Sequence, residues 1–139
     1  MSATLSRRLF TAEEFRGMAA TGLLREDDRL ELVDGVIVEM APIGHWHAAC
    51  VRKLNELFHP ILDQVHIDVQ NPLGISPQHD FYPDVVLLQR REDAYASVIP
   101  EAADTLLVIE VADTTPNTIE VSSCHATPRQ ALAKFGSST

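Results

Sequence analysis

The fold class this sequence predicts is α/β, an α+β domain with a mixed sheet, and three observations predict it. Two apolar runs of strand length, Phe81-Tyr-Pro-Asp-Val-Val-Leu-Leu88 and Thr105-Leu-Leu-Val-Ile-Glu-Val-Ala-Asp113, are rich in aliphatic and β-branched residues, as strands covered on both faces are. Val51, Leu54, Leu57, Phe58 and Ile61 recur at the spacing of one helix face. Asp34-Gly35 stands between two alternating segments, a strong hairpin signal. With 139 residues and 45% hydrophobic content the chain can bury one modest core, and one domain follows.

Taken in order, residues 1–10 carry no periodic pattern and read as a loose arm. Thr11-Ala-Glu-Glu14 is a capping box, Phe15, Met18 and Ala19 give the helix it opens an apolar stripe, and Gly22 is placed to stop it. The charge cluster Arg25 to Arg29 leads into the hairpin Leu30 to Met40, in which Leu30 and Leu32 share a face and Glu31 lies opposite them. Pro42 and Gly44 break the chain before His45-Trp-His47 and the principal helix. Pro60 removes an amide and clashes with the preceding turn, so that helix should end or kink near Phe58. His66-Ile-Asp-Val-Gln70 alternates as a strand, Asn71 to Asp80 reads as a turn-rich connection, and residues 94–104 read as a loop with one helical turn.

Each of the two long strands is interrupted by a single acid, Asp84 and Glu110. By alternation Asp84 shares a face with Val86 and Leu88, and Glu110 with Leu106 and Val108. If the strands are neighbours, the two carboxylates can meet, and they would repel unless a cation such as Mg²⁺ sits between them. The alternative is that each acid marks the point where its strand emerges into solvent, capping a helix or pairing an arginine.

Composition narrows the function classes. The net charge of −9 counts against a broad, non-specific grip on nucleic acid, although Arg7, Arg8, Arg52, Lys53, Arg90 and Arg91 could form local basic patches. An acidic chain can also gain a binding groove by dimerising. No apolar run approaches the length of a membrane span and no signal-type segment opens the chain, so a cytoplasmic location is expected. Cys50 and Cys124 are too few for a disulfide framework. His45, His47, His66 and His79 invite a zinc reading, but their spacing fits no closed ligand set.

In combination, Glu31-Leu-Val-Asp-Gly35, Pro83-Asp84 and Leu107-Val-Ile-Glu-Val111 resemble the Uma-two family, restriction-endonuclease-like proteins of the wider PD-(D/E)XK nuclease group. The resemblance covers residues 8 to 115 and implies a restriction-endonuclease-like core, a central mixed sheet flanked by helices. It implies a Mg²⁺- or Mn²⁺-dependent DNA endonuclease with DNA as substrate; a homodimer is expected as well, since an acidic chain can gain its groove from a second copy. Asp84, Glu110 and the main-chain carbonyl of Val111 would hold the metal, and Glu31 would be a third acid lining the same cleft. The resemblance also places a histidine at the start of the principal helix, and leaves open whether His45 or His47 faces the cleft.

After Thr115 the motifs stop, which divides the chain into a domain over 1–115 and an aberrant tail over 116–139. The family would continue with an Asp-x-x-x-Lys helix and then a strand of Gly-Ile-x-x-x-Trp character, and both are missing. Reading the last base of each codon with the first two of the next, permitted codons convert the segment from Pro116 to Thr139 into EYDRGVKLPRYAEAGIGEVWIVD, which restores those motifs in order. A change of reading frame near Thr115 accounts for the tail. The lysine expected to steady the developing charge is then lost: Ala112 stands at the usual Glu-x-Lys position and Lys134 has no motif around it. The reading is an impaired nuclease, and its alternative is a non-catalytic remnant or dimer-forming binding module.

Overall fold

The computed structural model describes residues 4–25 and 27–112, together with the backbone of strands 118–122 and 132–136. The chain forms two compact units, Met1–Ala41 with Gly74–Phe81, and Pro42–Leu73 with Tyr82–Thr139.

In the first unit, helix α1 (Ala12–Ala20) starts at Thr11, whose hydroxyl accepts from the Glu14 amide while the Glu14 carboxylate accepts from the Thr11 amide, each at 3.1 Å. The helix ends at Thr21, and Gly22 follows with φ +79°, the left-handed conformation that ends helices at glycine. Strands β1 (Leu30–Val33) and β2 (Val36–Glu39) form the expected hairpin, with φ +49° at Asp34 and +75° at Gly35, as a two-residue turn requires. Gly35 has a second reason to be glycine, since a Cβ there would lie 2.8 Å from the Leu9 Cβ.

The connection expected over Asn71 to Asp80 instead holds β4 (Leu73–Ser76) and β5 (His79–Phe81), giving a four-stranded sheet of order β2-β1-β5-β4. Asp80 of β5 is fully buried and is met by Arg16 in a fork, Nε to Oδ2 at 2.9 Å and Nη2 to Oδ1 at 2.8 Å. A carboxylate tolerates that burial because two charge-assisted bonds replace its water.

The second unit is built on a five-stranded sheet of order β3-β6-β7-β8-β9, with β3 Val65–Asp68, β6 Val85–Gln89, β7 Thr105–Ala112, β8 Thr118–Ser122 and β9 Leu132–Gly136. All four pairings are antiparallel. Helix α2 (His45–Phe58) packs on one face, where Val51 is buried with Val85, Ile109 and Val111 and flanked by Trp46, Cys50, Leu54 and Phe58. Leu73 and Tyr95 cover Val86 and Leu88 on the other. Both faces of β6 are therefore covered, which explains its run of aliphatic residues from Val85 to Leu88. Tyr95 reaches its place through a turn with φ +50° at Ala94 and +58° at its own backbone, and its hydroxyl donates to the Gln89 carbonyl at 2.7 Å. Burial pushes its phenol above the ordinary value. As the proline implied, α2 ends at Phe58, and a 3-10 turn over His59–Ile61 carries Pro60.

The sheet pairing also differs from the sequence expectation: the strands divide between two antiparallel sheets where one mixed sheet was expected, since strand length and apolar content do not carry strand direction. The β7 strand is paired on its other side by β8, and β9 continues the sheet. The rest of the tail after Thr115 lies outside the described residues.

Candidate functional site

The two acids of the long strands occupy adjacent places in the second unit. Val85, the first residue of β6, pairs with Ile109 of β7, so Asp84 and Glu110 stand beside each other at the next position along the two strands. Pro83 has no amide hydrogen to continue the ladder, and its carbonyl accepts from the Gln70 amide at 3.0 Å. The Val111 amide, pointing toward β6, donates instead to Asp84 Oδ2 at 2.7 Å. Asp84 thus closes the β6–β7 ladder with its side chain.

Its other oxygen is held from α2. His47 Nε2 lies 2.8 Å from Asp84 Oδ1, and both residues are buried, with 8% and 4% of their surface exposed. With the carboxylate oxygen accepting, Nε2 is the ring nitrogen that donates to it. Two donors from two elements let a carboxylate stay in the interior. A carboxylate offers about four acceptor positions, so capacity remains on both oxygens of Asp84. Oxygen donors of this kind suit a hard divalent cation.

The remaining residues expected at the site are placed as follows. Glu110 is exposed, and strand alternation puts it on the face of Val108, opposite to that of Ile109 and Val111. Glu31 is partly buried on β1, opposite Val38, and belongs to the first unit. Val111 meets Asp84 through its amide; the sequence reading singled out its carbonyl. Among the described residues, no group of three or more His, Cys, Asp or Glu side chains is arranged to hold a metal ion.

Sequence reasoning left the choice between His45 and His47 open, and the structure gives Asp84 to His47. A signal for this was present. His47, Val51, Leu54 and Phe58 follow the i, i+4, i+7, i+11 stripe of one helix face, and His45 falls off it.

Two helices on two antiparallel sheets, with a buried aspartate closing a strand pair, make a mixed α+β fold consistent with a restriction-endonuclease-like core. The comparison with protein families agrees: the chain belongs to the Uma2 family, described as "Putative restriction endonuclease", whose model matches residues 12–121. No curated protein matches the chain. Among the described residues no helix is long and apolar enough to cross a membrane.

Proposed function

We propose that the chain carries the site of a metal-dependent DNA endonuclease, a phosphodiester hydrolase, whose activity is impaired by loss of a lysine. The observation that supports this best is Asp84, a buried carboxylate oriented by two donors from two elements, at the end of the β6–β7 pair. In this reading Asp84, Glu110 and the Val111 main-chain carbonyl hold Mg²⁺ or Mn²⁺. When bound, the ion polarises a scissile phosphate and makes a coordinated water acidic enough to attack. The protein's own part is to aim the Asp84 carboxylate.

A cationic side chain near the phosphate would stabilise the charge that develops there. In this chain Ala112 stands two residues after Glu110, where the family pattern has lysine. The frame change near Thr115 removes the later Asp-x-x-x-Lys segment as well. The substrate in this reading is duplex DNA, held by a second copy of the chain as well as the first, since a net charge of −9 gives one copy little general attraction for phosphate. The runner-up is a non-catalytic binding module, favoured by the lack of a three-residue metal group among the described residues.

Plasmid cleavage in Mg²⁺ or Mn²⁺ separates the readings, measured for this chain beside a version carrying the restored-frame tail. Nicking or linearisation by the restored version, with weak or no cleavage by this chain, is the expected result. Absence of cleavage by both would favour the binding module.

A further inference from the structure

We infer that His47 is the positioning residue for Asp84, fixing the orientation in which that carboxylate meets a cation. The inference rests on the proposed metal-dependent reading and, of the two histidines at the start of α2, gives a definite part to the one bonded to Asp84. The torsion that turns a carboxylate about its Cβ–Cγ bond is broad, so a single hydrogen bond leaves the group free to swing. Asp84 has two bonds, and they come from different elements: the Val111 amide on β7 holds Oδ2 at 2.7 Å, and the His47 ring on α2 holds Oδ1 at 2.8 Å. Together they fix the carboxylate plane.

Of the two donors only His47 is a side chain, so only it can be removed by substitution without altering the strand ladder. The ring is itself confined. His47 is buried on the helix face that carries Val51, the residue packed against Val85, Ile109 and Val111. The packing that joins helix to sheet therefore also sets the direction of the imidazole. Hydrogen-bonding partners of this kind, lying just outside a metal's ligands, change its affinity by about 10- to 100-fold when they are lost.

The test is calorimetric titration of Mn²⁺ into the whole chain and into three variants, with circular dichroism confirming the fold of each. His47→Gln keeps an N–H donor at similar reach and is expected to bind within a few-fold of the parent. His47→Leu fills the space without a donor and His47→Ala does neither; both are expected to weaken binding by about 10- to 100-fold while remaining folded. A role confined to packing would make Leu the better substitute and Gln the worse. That order, or unchanged binding in folded His47→Leu, would overturn the inference and leave the metal site standing. If the parent itself binds no Mn²⁺, the metal-dependent reading fails and the role of His47 falls with it. Should the alanine variant fail to fold, the comparison of Gln with Leu decides.

Discussion

At the scale of single residues, two carboxylates are buried among the described residues, and each has a dedicated partner. Asp80 receives a forked guanidinium from Arg16, whereas Asp84 receives an imidazole and a backbone amide. The difference matters for chemistry. A fork engages both oxygens with a permanent cation and serves structure, while an imidazole and an amide take one acceptor position on each oxygen and leave others for a ligand. Arg16→Ala is accordingly expected to cost stability, about 3 kcal/mol in urea unfolding, near the lower end for removing one partner of a buried pair because water reaches part of the arginine. Asp80→Asn with Arg16 intact should cost less, since the amide still accepts and no bare charge is buried.

At the scale of elements, the local signals that the sequence carries most clearly are those whose cause is local. Thr11 and Glu14 cap α1, Asp34-Gly35 turns a hairpin through two left-handed residues, and Pro60 stops α2 at Phe58; each depends on the chemistry of a few adjacent residues. The β4–β5 pair was not legible. Gly74 and Ser76 weaken the strand pattern, and the inward residue of β5 is Asp80, which looks like a loop residue until Arg16, far off in sequence, is brought to it. The long strands were legible as strands because both faces are covered, but the same apolar continuity suggested a mixed sheet where the pairing is antiparallel. Of the site, the two acids could be read from their interruption of apolar runs. The hydrogen bonds that orient Asp84 could not, because they depend on a helix packed across the sheet.

The cap on α1 also has a pH signature. The guanidinium of Arg8 holds the Glu14 carboxyl below its ordinary 4.5, and the Thr11 amide adds to the effect. A carboxyl whose folded value is depressed favours the folded state fully above its unfolded value, and that contribution is lost as pH falls through the folded value. Glu14→Gln should therefore be less stable than the parent near neutrality and converge with it below pH 4.5. A stability difference that stays constant through the acid range would show that the ionised form of Glu14 contributes nothing.

At the scale of the whole molecule, family membership, charge and the reading frame bear on one another. The family match runs through both units and ends at residue 121, a little beyond Thr115, where the recognisable motifs stop. On the frame proposal the altered tail would account for impaired activity while β6, which follows Asp84, and β7, which carries Glu110, stay in place. Cation binding and DNA cleavage would then be separable properties, to be measured apart.

The most direct measurement is the Mn²⁺ affinity of this chain beside Asp84→Asn and Glu110→Gln. Asparagine keeps the shape of Asp84 and can still accept from the Val111 amide, so loss of charge is tested without loss of fold. One ion bound by the parent, with affinity at least about tenfold lower in each variant, is the predicted result. An ion bound equally well by all three, or none bound by the parent, would contradict the assignment of these two acids to a metal site.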